Sequence, residues 1–179
     1  MNISGSTLFL NDDNLETETF KPCVIDLEAS GFGRGSYPIE VGFVTSNQAL
    51  GCCLIKPIDQ WTHWNEDAEA LHGIGRSLLS EKGKEVLWVA QWLNENLRGI
   101  TVYSDAWAND MCWMGKLFDE AEIPQAFRME SILNLLSEEE KECWTPLYHQ
   151  VISETCTKRH RASTDAMNIQ QTYIRLKHI

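Results

Sequence analysis

The sequence has no pair of cysteines spaced as CxxC, although it contains Cys23, Cys52, Cys53, Cys112, Cys143 and Cys156. That spacing is the usual mark of a zinc site, so zinc is not expected, and buried free thiols in a reducing compartment are expected instead. No apolar run approaches the ~20 residues that a membrane span needs, so no membrane association is expected. The N-terminus lacks a basic flank followed by an apolar stretch, so no secretory signal is expected and the chain reads as cytoplasmic. Positive charge is scarce: 15 Lys and Arg against 26 Asp and Glu give a net charge of −11. That deficit excludes a nonspecific polyanion binder. Internal repeats and low-complexity linkers are also missing.

What is present is an ordinary globular composition, 43% hydrophobic and 23% charged over 179 residues. A chain of that length fits one domain and buries roughly 70% of its unfolded surface. Residues 1–20 are polar and acidic and read as a loose leader, and residues 21–179 as a single domain. Strands are predicted over Cys23–Leu27, Ile39–Thr45 and Gly51–Ile55. A loop over Lys56–Asn65 carries Trp61 and Trp64, and a short helix, Glu66–His72, stops at Gly73. Helical spacing runs over Ser80–Leu97, with Trp88 and Trp92 read as core. A strand over Thr101–Ser104, a helix over Asn109–Ala121 and a strand over Ala126–Met129 follow. Helices are predicted over Ser131–Trp144, with a capping box at Ser137 and Glu140, over Pro146–Thr155 and over Ser163–Leu176. The order predicts an α/β fold: a mixed five-stranded sheet, an antiparallel meander first and parallel strands after, flanked by helices.

Asp26 and Glu28 end the first strand. The pleat has period two, so both lie on one face while Leu27 points away. Two acids on one face of a buried strand end are costly unless cations neutralise them. Asp-x-Glu alone is commonly a solvated strand end. The apolar Val24 and Ile25 before it argue for the C-terminal edge of a central strand, where open sheets put their sites. Asp110 lies near the start of a helix after a strand and can point back to that edge. Asp105, at the strand end, is its competitor and reads otherwise as a turn or cap residue. Trp113, Met114 and Leu117 recur on one side of the helix and favour Asp110, but the choice stays open.

His160-Arg161-Ala162-Ser163-Thr164-Asp165 opens the last helix. Ser163 or Thr164 is expected to cap it, with Asp165 in the first turn and His160 on the preceding loop. With an ordinary pKa of ~6.5, histidine accepts a proton from water near neutral pH. Lys158, Arg159 and Arg161 crowd this point, either as a solvated basic turn or as binders of backbone phosphates. Residues 156–179 carry a local charge of +4, which leaves −15 on the rest of the chain. Four carboxylates and a histidine are what two divalent cations and a water nucleophile require, so the expected chemistry is metal-dependent phosphodiester hydrolysis.

In this order the motifs resemble those of the DEDDh-type 3′→5′ exonuclease superfamily, which includes RNase T, oligoribonuclease and polymerase proofreading subunits. Val24-Ile25-Asp26-Leu27-Glu28-Ala29-Ser30-Gly31-Phe32 is similar to the first motif, and Ile39-Glu40-Val41-Gly42 to the strand after it. Asp110 matches the second motif, and His160, Asp165 and Ala166 the third. Leu71-His72-Gly73-Ile74 resembles an element between the first two. The run before Asp110 departs from the His-Asn-Ala usual there, and Ala29-Ser30-Gly31 replaces Thr-Thr-Gly. Arg161 stands where the tyrosine variant of the third motif has Tyr, which favours the histidine form.

The resemblance implies a ribonuclease H-like fold and a 3′→5′ exonuclease. Such an enzyme releases nucleoside 5′-monophosphates from single-stranded 3′ ends, with RNA favoured over DNA. It implies two Mg²⁺ or Mn²⁺ ions, roughly 4 Å apart, on Asp26, Glu28, Asp110 and Asp165, with His160 as general base. Phe32, Trp61 and Trp64 become candidates to stack bases, and Arg159 and Arg161 to hold phosphates. A homodimer is in keeping with relatives that often pair. A catalytically idle nucleic-acid-binding scaffold is the alternative; it would be expected to have lost a ligand, and here all are present.

Overall fold

The computed structural model describes residues 20–155 and 160–179. The expected leader, apart from its last residue, and Arg159 lie outside the described residues. Five strands form one sheet: β1 (Cys23–Ala29), β2 (Pro38–Val44), β3 (Leu50–Leu54), β4 (Thr101–Ser104) and β5 (Arg128–Ser131). Their spatial order is β3-β2-β1-β4-β5. The first three pair antiparallel; β4 runs parallel to β1, and β5 parallel to β4. The expected meander-then-parallel sheet is the one observed. The helices are α1 (Glu66–His72), α2 (Arg76–Lys82), α3 (Val86–Leu97), α4 (Trp107–Glu120), α5 (Glu138–Thr155) and α6 (Ala162–Leu176). Among the described residues no helix is long and apolar enough to cross a membrane.

Strand alternation sorts side chains into two layers. Ile25 and Leu27 of β1, with Ile39, Val41 and Phe43 of β2, pack with Val89 and Leu93 of α3 and Met114 and Leu117 of α4. Val24 and Val44 point the other way, into a cluster with Trp144 of α5 and Ile169 and Tyr173 of α6. Each fully buried side chain of this kind contributes about 1.5–3 kcal/mol. Parity then puts Asp26 and Glu28 on the side of Val24, and Glu40 and Gly42 on the side of Val44. Register pairs Asp26 with Gly42 and Glu28 with Glu40. The acids therefore lie on the sheet face that α6 covers.

Several elements depart from the sequence reading. The helix expected over Ser80–Leu97 is two, α2 and α3, separated at Gly83. Lys84 bonds into the sheet region instead, its N–H donating to the Leu54 carbonyl and its carbonyl accepting from Lys56 N–H. A Cβ on Gly83 would lie 2.4 Å from the Leu79 carbonyl oxygen and 2.6 Å from Lys56 N, so only glycine fits this break. Conversely α5 runs unbroken through Pro146, where a new helix was expected. Pro146 and Glu142 are both exposed, so water can satisfy the carbonyl that the proline leaves without a donor. The residues before α5 form a separate 3₁₀ turn, Ile132–Leu135. The Ser137 capping box opens α5 as expected: Ser137 N–H donates to Glu140 Oε2 at 2.8 Å, and Glu140 N–H to Ser137 Oγ at 3.3 Å.

β5 starts at Arg128 rather than Ala126 because Asn94 of α3 pins the preceding loop. Asn94 accepts from Ala126 N–H at 2.7 Å and donates to the Pro124 carbonyl at 2.9 Å. Trp88, read as core, is 46% exposed on the outer side of α3, where it stacks on Trp92. The described cysteines are free, but only Cys23 and Cys53 are buried; Cys52, Cys112 and Cys143 are exposed.

Candidate active site

β1 pairs with β4 only at Cys23 and Val24. Beyond them β1 continues while the chain after Ser104 turns into α4, and a cavity opens at that edge. It has a volume of about 270 Å³ and is lined by Asp26, Glu28, Asp105, Asp110, His160 and Asp165, with Phe32, Leu71, Trp113 and Tyr148 around them. Four carboxylates, a competing fifth and the histidine, drawn from β1, α4, α6 and the loops before the two helices, share one space.

Local sequence explains each position. Asp110 is in the first turn of α4, carried to the edge because Trp113, Met114 and Leu117 seat the helix in the core. It is 1% exposed. Its Oδ2 accepts from the Ser104 hydroxyl, and its Oδ1 has no partner among the described residues. Asp165 is in the first turn of α6 and accepts the His160 N–H at 2.9 Å. That bond holds His160 in a left-handed backbone conformation, φ 60°, which a non-glycine residue adopts at some cost. One ligand atom each from Glu28, His160 and Asp165 lie within 4.8 Å of one another.

Other expected site residues fall elsewhere or differently. Phe32, 71% exposed, reaches over the cavity beside Trp113. Trp61 is 4% exposed and stacks on Tyr37 in the core, and it does not line the cavity. Trp64 also stands off it, donating to Glu69 Oε2 with the Arg76 guanidinium over its ring. Arg161 is engaged by Glu40. Neither Ser163 nor Thr164 caps α6: the helix begins at Ala162, whose N–H donates to Glu40 Oε2 at 2.9 Å. Tyr148 of α5 was not foreseen, because nothing in its neighbourhood of the sequence marks it; only the packing of α5 brings it to the cavity. His72 was noted only as part of a motif. It is buried, lines the cavity, accepts the Ile74 N–H at 3.0 Å, and turns its Nε2 toward the Ala29 backbone without closing a well-formed hydrogen bond.

No protein-family model and no curated protein matches this sequence. Solved structures do match. E. coli exonuclease I in complex with a dA16 oligonucleotide superposes with a TM-score of 0.66 at 12% identity, over 88% of this chain and 42% of that one. The zinc ion bound form of the E. coli exonuclease I–ssDNA complex gives 0.68 at 12% identity, over 88% and 41%. Exonuclease I from Methylocaldum szegediense gives 0.64 at 13% identity, over 88% and 40%. The chain has the fold of exonuclease I. It spans about two fifths of the length of these exonuclease I chains.

Carboxylates crowd this edge of the sheet, and burial disfavours their charge. Burial pushes the Asp26 carboxyl well above the ordinary carboxylate range, reinforced by Asp110, Asp105, Glu28 and Asp165. Burial also raises Glu28 to about 8, with Asp165, Glu40 and Asp110 adding to it and Arg161 opposing. Asp110 rises to about 7 through burial, against the lowering effect of the Ser104 hydroxyl bond. Asp105 is raised by burial as well. Crowded carboxylates of this kind fit hard divalent cations, and Asp110 Oδ1 is a buried acceptor without a hydrogen-bond partner among the described residues.

Each carboxyl binds its proton more tightly folded than unfolded. Its contribution to stability is full below the ordinary values of 3.8 and 4.5 and is lost as pH rises through about 7 and 8. In EDTA, Tm is expected to fall between about pH 5 and about pH 8.5. Mg²⁺ or Mn²⁺ is expected to raise Tm, and to raise it more at the higher pH; saturation at a hundred times Kd adds about 2.7 kcal/mol. A Tm indifferent to divalent cations at both pH values, read by scanning calorimetry, would remove the cation site.

Proposed function

We propose that the protein is a metal-dependent 3′→5′ exonuclease acting on single-stranded nucleic acid. One observation carries this reading: Asp26, Glu28, Asp110, His160 and Asp165 line a single cavity at one edge of an exonuclease I-like sheet. At about 270 Å³ the space suits one terminal nucleotide better than a duplex. Asp26, Glu28, Asp110 and Asp165 would hold two divalent ions, Mg²⁺ or Mn²⁺, with Asp105 beside them. Such ions supply positive charge to the scissile phosphate and to the water that attacks it. His160, on its loop beside Glu28 and Asp165, accepts the proton of that water. Phe32 is placed to stack on the terminal base.

The neighbouring exonuclease I structures contain dA16 and other DNA oligonucleotides, which supports single-stranded DNA as substrate. The sequence motifs do not separate RNA from DNA, because contacts to a 2′-OH often come from backbone groups. The free thiols support a reducing, cytoplasmic setting.

The test uses 5′-labelled RNA and DNA of one sequence, each incubated in Mg²⁺, Mn²⁺ or EDTA and resolved on a sequencing gel. The expected result is a metal-dependent ladder that shortens from the 3′ end, and the faster strand identifies the substrate. No ladder on either strand would overturn the reading in favour of a binding scaffold.

A further inference from the structure

The geometry points to Glu40 as the residue that positions His160 and Asp165 for catalysis, through a clamp it forms with Arg161 and the first turn of α6. This rests on the exonuclease reading above. Glu40 is 0% exposed in the middle of β2. A carboxylate buried there without partners would be prohibitively costly. Both its oxygens are engaged: Arg161 Nε donates to them at 3.0 and 3.1 Å, Arg161 Nη2 donates to Oε1, and Ala162 N–H donates to Oε2 at 2.9 Å.

α6 supplies no side-chain cap of its own; its N-cap residue is Arg161. Glu40 therefore does from a neighbouring strand what Ser, Thr or Asp usually does from within the helix. Its negative charge also sits at the positive end of the helix. Two residues along β2, Gly42 lets the helix lie directly on the strand: a Cβ there would be 2.2 Å from Ser163 N. The start of α6 is thus fixed to β2 at two points.

The consequence falls on the neighbours of the clamp. His160 immediately precedes Arg161, and its N–H is tied to Asp165 at 2.9 Å. Glu28 lies opposite Glu40 in the strand register. Holding Arg161 and Ala162 against Glu40 therefore sets the spacing of His160 and Asp165 from Glu28. Glu40 is a positioning residue. It does not line the cavity, and Arg161 neutralises its charge beside the acidic cluster. Arg161 is accordingly part of the scaffold and not a phosphate binder.

Two variants test this. Glu40→Gln keeps the side-chain shape and an acceptor for Ala162 N–H, but loses the charge that Arg161 needs. Arg161→Lys keeps the charge and loses the planar fork, and it leaves Glu40 paired if Glu40→Gln does not fold. In folded protein, each is expected to lower kcat by about 10–100-fold, the usual cost of losing a group that orients a metal ligand, with KM for the oligonucleotide little changed. Wild-type kcat in both folded variants would overturn the proposal, because a purely structural clamp lowers Tm without moving kcat per folded molecule. The His160 ring resonances, read by NMR with and without Mg²⁺, give a second readout that needs no turnover. They are expected to shift in both variants, and unshifted resonances would also overturn it. If the wild type does not degrade nucleic acid, the exonuclease reading fails, and the NMR comparison still decides whether Glu40 positions His160.

Discussion

Asp26→Asn is expected to lower metal-dependent hydrolysis on the order of 10³–10⁴-fold while raising the Tm of the metal-free protein. The two effects have one cause. Asp26 is surrounded by Asp110, Asp105, Glu28 and Asp165, and burial disfavours its charge. Asparagine keeps the shape and removes the negative charge, so the metal-free fold loses a repulsion. The same change removes a metal ligand, and with it several kcal/mol of transition-state charge stabilisation. At 1.36 kcal/mol per decade that gives the stated range. Activity sites commonly trade stability for function in this way.

Asp110→Asn is expected to behave alike, and Asp105→Asn to lose less, because the Asp110 carboxyl is the more deeply buried and carries the unpartnered oxygen. The reverse order would transfer the ligand role to Asp105. His160→Ala is expected to cost about 10²–10⁴-fold, the scale of a general base. Steady-state rates on a labelled oligonucleotide, beside calorimetric Tm values in EDTA, check all four. An Asp26→Asn enzyme within tenfold of wild type would sink the assignment.

Gly42→Ala is expected to be strongly destabilising. The backbone of Gly42 is not in the left-handed region, so strain in its own dihedrals is not the issue. The added Cβ would lie 2.2 Å from Ser163 N and 2.4 Å from Ala162 C. Both obstacles are backbone atoms of the first turn of α6, which Glu40 holds in place, so no side chain can swing aside. Overpacking usually costs about 1–3 kcal/mol, and a backbone obstacle puts this site at the upper end. For a chain of this size about 3 kcal/mol lowers Tm by roughly 6–12 °C.

Gly115→Ala in α4 is the control, because nothing lies within 4 Å of its Cβ position. Relieving glycine's entropy cost in a helix is expected to stabilise by about 0.5–1 kcal/mol. Thermal melts by circular dichroism measure both. A Gly42→Ala protein that melts with the wild type would contradict the close seating of α6 on β2.

The sequence by itself determined what depends on local backbone geometry and periodicity. Alternation put Asp26 and Glu28 on one strand face, Gly73 ended α1, Ser137 and Glu140 formed their capping box, and the order of strands and helices implied the mixed sheet. The first three follow from residues a few positions apart, where the chain's own connectivity fixes the distance, and the fourth from the succession of such local elements. Tertiary structure decided what depends on partners distant in sequence. Gly83 breaks α2 from α3 because Lys84 is taken up by residues 54–56. Trp61 is buried because Tyr37 lies beneath it, and Tyr148 joins the site because α5 folds back to the cavity. Arg161 pairs with Glu40, 121 residues away, a contact that nothing in its own stretch of sequence marks. Burial, desolvation and the pairing of charges are properties of neighbours in space, and those neighbours exist only once the chain has folded.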